Sequence, residues 1–250
     1  MNYSLQLEIV NLYQSGLSPM NIIRKLSLEC CRDTIYNILH KFSIKSIGGA
    51  ILRRKYKLNE NFFDIIDTEE KAYWLGFIMA DGCINGKSLQ ITLNNQDRRH
   101  LIKFLENIES NYKIYDYGDY SYLSIRSQKI VQTLSRYGIV PRKTFKTYFP
   151  KQITKNLQRH FIRGILDGDG CIHVGKQGQK RIHFSGTRVL MQQIQEILML
   201  NCSVSMTKLG KTKNTYVLMY CGNKQAKRIL NYLYCDANIY LDRKFRGINI

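Results

Sequence analysis

The sequence predicts an α+β fold that is built twice within one chain, behind a small all-α module. Three observations lead there. A phrase recurs, WLGFIMADGCI at Trp74–Ile84 and IRGILDGDGCI at Ile162–Ile172, each time with an acid followed by Gly-Cys-Ile. Segments after each phrase alternate polar and apolar residues with period two, as half-buried strands do. Ahead of both copies, residues 4–41 keep the apolar spacing of short helices. The expected organisation is an all-α module over 1–47, a basic linker over 48–57, one copy over 58–154 and a second over 155–250.

The bulk composition narrows the partners. A chain of 250 residues can bury a real core, and its ordinary apolar content and three prolines argue against disorder. Thirty-eight Lys and Arg against nineteen Asp and Glu give a net charge of +19. The basic residues run along the whole length and are accompanied by seventeen Tyr, so a polyanion touching many parts of the fold, nucleic acid first, is expected. No apolar stretch is long enough for a bilayer, and the N-terminus lacks a secretory pattern. Seven cysteines without a C-x-x-C pair, and five scattered His, give no disulfide framework or zinc spacing. A cytoplasmic setting is expected, in a bacterial or phage-infected cell or in an organelle.

In the first module, Leu5, Ile9, Leu12 and Tyr13 mark one helix, which Gly16 ends. Ser18-Pro19 starts the next, with an N-cap oxygen and a proline suited to the first helical position. A third runs over roughly Arg32–Lys41 with Ile35, Ile38 and Leu39 inward. LYQSGLSPMNIIRKL followed by DTIYNILHKF resembles the helix-turn-helix of resolvase-like and homeodomain-like DNA-binding domains. That resemblance implies a third helix in a major groove, presenting Arg32, Thr34, Asn37 and Lys41. The linker carries a basic run that includes Arg53 and Arg54, suited to tracking phosphates.

Each repeated phrase reads as a helix with small residues at intervals of four. Asp67-x-x-Glu70 reads as a capping box ahead of the first. Gly76 and Ala80 in one copy, and Gly164 and Gly168 in the other, would let two helix backbones approach closely. Asp81 and Asp169 then fall at the C-terminal helix ends, where the macrodipole is already negative. If the stripes pack together the two carboxylates converge, and a divalent cation with oxygen ligands, Mg²⁺ for choice, relieves the conflict. The main-chain oxygens of Ala80 and Gly168 complete the candidate ligand set.

Beyond the acids, Leu89, Ile91 and Leu93 would pack inward while Gln90, Thr92 and Asn94 face out. In the second copy Ile172, Val174, Ile182 and Phe184 are inward, and His173, Arg181, His183 and Ser185 outward. Gly86-Lys87 and Gly175–Gly178 mark turns, and Lys211 and Lys213 sit at another. Further strands are expected over Tyr112–Tyr117, Tyr120–Arg126, Ser203–Leu209 and Thr215–Cys221, with Tyr122 and Arg126 outward. Helices are expected over Asp97–Ile108, Gln128–Tyr137, Val189–Leu200 and Lys224–Tyr234. An outer face of this polar composition suits base edges in a major groove. Each copy closes on a basic pair, Arg142-Lys143 and Arg243-Lys244.

WLGFIMADG and IRGILDGDG together resemble the paired motifs of the two-motif LAGLIDADG homing endonucleases, a likeness that extends over about residues 58–250. The resemblance implies two αββαββα units with saddle-shaped antiparallel sheets, forming a monomer with an internal pseudo-two-fold axis. It implies a mobile-element nuclease that makes metal-dependent double-strand breaks in a long site, with Asp81 and Asp169 holding the metal. By position, Lys143 and Lys244 are the basic residues flanking such sites. Asn94 and Arg98 match solvent-organising or phosphate-contacting places, from which the second copy departs at Ser185 and Gly186. The alternative on the same scaffold is a DNA- or RNA-binding protein that does not cut, a regulator or an intron-splicing maturase.

Overall fold

The computed structural model describes residues 1–44, 55–143 and 146–246. Two compact units emerge, Met1–Lys57 and Leu58–Ile250. Arg53 and Arg54, with most of the expected linker, lie outside the described residues.

The first unit has three helices, α1 (Tyr3–Gln14), α2 (Pro19–Lys25) and α3 (Arg32–Lys41). Ser18 Oγ accepts from Asn21 N and caps α2, with Pro19 at its first position. Gly16, at φ +96°, takes the left-handed turn that ends α1. Ile9, Tyr13, Ile22, Ile35 and Leu39 form a core of their own.

The second unit repeats one order of elements. The first copy holds α4 (Glu69–Asp81), β1 (Gly82–Asn85), β2 (Ser88–Asn94), α5 (Arg98–Asn107), β3 (Ile114–Tyr117), β4 (Tyr120–Arg126) and α6 (Gln128–Arg136). The second holds α7 (Gln158–Asp169), β5 (Cys171–Val174), β6 (Lys180–Gly186), α8 (Arg188–Cys202), β7 (Gly210–Lys211), β8 (Tyr216–Cys221) and α9 (Asn223–Tyr234), followed by a short α10 (Asp242–Phe245). Both sheets are antiparallel and share one topology, β1-β2-β4-β3 and β5-β6-β8-β7. The alternation holds on the inner strands: Leu89, Ile91, Leu93, Leu123 and Ile125 are buried, as are Ile182, Phe184, Leu218 and Tyr220 in the second sheet. On β5, at the sheet edge, Ile172 is only half-buried and Val174, expected inward, is exposed. One continuous core joins the copies through α4 and α7.

Two local expectations are corrected. The strand expected over Ser203–Leu209 is reduced to Gly210–Lys211. Ser203 ends α8 in a left-handed conformation, and side chains then take the backbone groups that a ladder would use. Gln225 Oε1 accepts from Ser205 N, and Gln195 Nε2 donates to Thr207 O. The cap of α4 also shifts by one residue. Thr68 Oγ1 accepts from Lys71 N, while Asp67 pairs with the Lys71 ammonium at 2.6 Å. No helix among the described residues is long and apolar enough to cross a membrane.

Candidate active site

α4 and α7 meet where their side chains vanish. A methyl built on Gly76 would stand 2.1 Å from Phe161 O, and one on Gly164 would stand 2.1 Å from Tyr73 O. Backbone touches backbone at both places, so the stripes seen in the sequence are an interface. The same approach brings the acids together, because each helix ends on its Asp. A methyl on Gly168 would meet Ala80 Cβ at 2.4 Å and Asp81 Oδ2 at 3.4 Å. The Asp81 carboxylate therefore lies against the residue that precedes Asp169.

This is a costly arrangement of charge, two carboxylates at the negative ends of two helices. Burial, and next the charge of Asp169, push the Asp81 carboxyl up to about 6. Asp169 reaches the exposed lip of the site, yet the protein around it thins its hydration and raises its carboxyl too. Lys143 and Lys244 oppose both shifts. Burial lowers each lysine, and the nearby acids act to keep it charged.

The lysines do more than face the acids. Lys143 Nζ donates to Ala80 O at 2.8 Å. Lys244 Nζ lies 2.6–3.0 Å from the carbonyls of Leu166, Asp167, Gly168 and Gly170. Each thus caps its own motif helix; Leu166 O also accepts from Gly170 N, and the other carbonyls lie at the helix end, where main-chain donors run out. Lys244 is held on all sides, and its short helix is pinned to the first copy through Lys103–Asp242 (2.7 Å) and Asp97–Arg243 (3.0 Å). Lys143, with one carbonyl partner among the described residues, borders a cavity of about 270 Å³ with Ala80, Thr147, Asp169, Ser185 and Thr215.

The donor set fits a hard divalent cation. Two convergent carboxylates supply oxygen ligands, both raised by burial and Asp81 also by the charge of Asp169. Among the described residues no group of three or more His, Cys, Asp or Glu gathers as a metal cage. A cation that completes its shell with water and substrate phosphates needs no such cage. The carbonyls of Ala80 and Gly168 already accept lysine protons, which leaves the carboxylates as the main protein ligands.

Behind the acids lies a buried network that sequence reasoning missed. Arg163 is fully buried on α7 and donates to Ile239 O (2.9 Å), Leu233 O (2.6 Å) and Glu69 Oε1 (2.6 Å). Asp167, which has Met79 as its counterpart in the first copy, accepts from Tyr73 Oη (2.8 Å), Tyr234 Oη (2.6 Å) and Leu241 N (2.8 Å). Its carboxyl is raised by burial against the pull of these donors. The available signal was a pair of charges, Arg163 and Asp167, set among Phe161, Ile162, Ile165 and Leu166.

The expected contact residues divide between the two units. On α3, Arg32, Asn37 and Lys41 are exposed and Thr34 half-buried beside Cys31. In the first sheet Gln90 pairs with Ser124, Thr92 with Tyr122, Asn94 with Tyr120 and Ser88 with Arg126, so the outward residues form one surface. Lys87 is exposed in the β1–β2 turn. Asn94 Oδ1 accepts from Gln96 N, and Arg98 pairs with Asp116 at 3.1 Å. In the second sheet His173 pairs with Arg181, His183 with Met219 and Ser185 with Val217. Burial holds the His183 imidazole below its usual range. Lys211 pairs with Tyr216, in register with the inward row, and Lys213 is exposed in the turn beyond it.

Residues 156–234 match the family model described as a LAGLIDADG-like domain. The fold is the LAGLIDADG fold. Solved structures with the same architecture include the LAGLIDADG meganuclease I-AabMI bound to uncleaved DNA (12% identity, TM-score 0.51, covering 72% of this chain and 87% of that one). The I-LtrWI LAGLIDADG homing endonuclease bound to target DNA is similar (11% identity, TM-score 0.50, 76% and 88% covered). The N-terminal LAGLIDADG domain of DUF199/WhiA aligns at 13% identity with a TM-score of 0.48, covering 76% and 93%. In sequence, 134 residues are 28% identical to the replication factor C small subunit of Methanocaldococcus jannaschii. That segment is 50% of this chain and 7% of the archaeal protein, so the likeness concerns a small part of that relative. In that fold the small stripes form the contact between α4 and α7, and Asp81 and Asp169 end those two helices.

Proposed function

We propose that the chain is a site-specific DNA endonuclease of the homing type, hydrolysing one phosphodiester on each strand of a long duplex site. The observation that carries this reading is the convergence of Asp81 and Asp169 at the packed ends of α4 and α7, with both acids intact. The relatives bound to DNA support the duplex as the ligand, and the net charge of +19 supplies the attraction.

In this reading the outward rows of the two sheets read base edges, and Lys87, Arg98, Arg181, Lys211 and Lys213 hold the backbone. The three-helix unit lengthens the footprint by placing α3 in a neighbouring groove. Asp81 and Asp169 would hold a divalent cation, Mg²⁺ by preference, which would supply Lewis-acid stabilisation of developing negative charge. Lys143, with one carbonyl partner and an open cavity beside it, offers its ammonium to the same charge. Packing of α4 on α7 fixes the distance between the acids, so the geometry is set before substrate arrives.

A second reading has one observation in its favour. Lys244 is committed to four carbonyls, which suits a scaffold that binds without cutting, as a regulator or maturase would. One experiment separates the two. The full chain selects duplexes from a randomised pool, and the selected site is incubated with Mg²⁺ or with chelator. The endonuclease reading expects breaks that need Mg²⁺ and vanish in Asp81→Asn and Asp169→Asn while binding persists. Tight binding with intact DNA under every metal condition would favour the second.

A further inference from the structure

The two sheets match in register and differ in chemistry. Cys83 pairs with Gln90, which pairs with Ser124; Cys171 pairs with His183, which pairs with Met219. Met219 therefore occupies the place of Ser124. By the same register Val217 takes the place of Tyr122, and Cys221 that of Arg126. Where β4 presents hydroxyls and a guanidinium, β8 presents two thioether or thiol groups and an isopropyl group.

These side chains are not tucked away. Met219 is 43% exposed, and Met206 in the preceding segment is 77% exposed. Both line a groove of about 580 Å³ together with Val217 and Cys221. Lys208 and Lys211 rim the same groove, and Arg181 lies opposite Cys221 on β6. An aliphatic floor inside a cationic rim is complementary to a polyanion that exposes apolar groups along its length. In a DNA major groove the apolar group is the C5-methyl of thymine.

Resting on the reading that the sheets lie on duplex DNA, we infer that the second copy recognises thymine C5-methyl groups. Met219, Val217 and Met206 form the receiving surface. The first copy reads its half-site by hydrogen bonds from Gln90, Thr92, Tyr122, Ser124 and Arg126. The two half-sites are then chosen by different chemistry, and thymines gather under the second sheet. Lys208 contacts phosphate and sets the depth at which the methionines meet the bases.

The test uses the full chain and the duplex it selects from a randomised pool. Thymine is replaced by uracil in one half-site at a time, which removes only the methyl groups. Affinity should fall about fourfold for each methyl that is contacted, in one half and not in the other. Met219→Ser, which installs the residue of the first copy on an exposed position, should abolish most of that uracil effect and thereby identify the affected half as that of the second sheet. A selected half-site without thymine, a uracil duplex bound as tightly as the parent, or a uracil effect unchanged by Met219→Ser would each overturn the inference. Those outcomes leave DNA binding intact, whereas failure to select any duplex would remove the underlying reading as well.

Discussion

Arg163 Nη2 lies 2.6 Å from Glu69 Oε1, a buried ion pair that ties the second motif helix to the start of the first. The guanidinium also sits 5.4 Å from the Tyr73 ring, so α7 is locked against α4 at the end remote from the acids. Removing one partner leaves the other charge buried and alone. Glu69→Ala should therefore cost about 3–5 kcal/mol in denaturant unfolding. Arg163→Met should cost at least as much, because Leu233 O and Ile239 O also lose their donor. A change below 1 kcal/mol in either variant would show that the pair does not hold the helices together.

Asp81 should weaken the metal-free protein. Its carboxyl titrates near 6 when folded against 3.8 for the ordinary group, a penalty of roughly 3 kcal/mol at neutral pH. The raised value means that the penalty is absent below about pH 3.8, grows as pH rises from there, and is complete above 6. Asp81→Asn should raise Tm at pH 7 and give only a small fraction of that gain at pH 4. The parent alone cannot report this, because His100, held at about 3, and His160, at about 4, lose stability as pH falls below 6.5. The difference between variant and parent isolates the acid. An equal gain at both pH values would contradict the account.

The two lysines should separate function from stability. Lys244→Met strips donors from four carbonyls and should lower stability by about 1–3 kcal/mol. Lys143→Met removes one carbonyl donor and the ammonium bordering the cavity, so its loss should appear mainly as slower cutting of one strand. Strand-specific nicking rates, read beside unfolding curves for both variants, check the division.

The organisation of the second unit was legible because its signals are periodic. Small residues every four positions marked α4 and α7, and strict alternation marked β2 and β6. What lay beyond reach depends on long-range partners. Glu69 and Arg163 are 94 positions apart, and only the fold shows that they touch. Ser203–Leu209 carries strand-like composition, but Gln195 and Gln225 take over its backbone bonding. At the site the acids were legible from their repetition. The capping role of Lys244 was not, since a basic pair after a helix looks the same whether it faces phosphate or carbonyl.

Deleting residues 1–57 should leave a folded second unit, because each unit has its own core. On the proposed function the truncated chain cuts at the same phosphates but binds more weakly. Its affinity should also depend less steeply on salt, since the phosphate contacts of α3 are gone. Unchanged affinity and salt slope would remove the first unit from DNA recognition.

The central claim is that Asp81 and Asp169 form one catalytic pair, and strand-resolved cleavage of the selected duplex tests it most directly. The parent with Mg²⁺ should cut both strands. Asp81→Asn and Asp169→Asn should each lose cutting of at least one strand by a factor of 10² or more, roughly the loss of a key electrostatic contact, with Kd for the duplex changed less than tenfold. Full cutting of both strands by either variant would contradict the account.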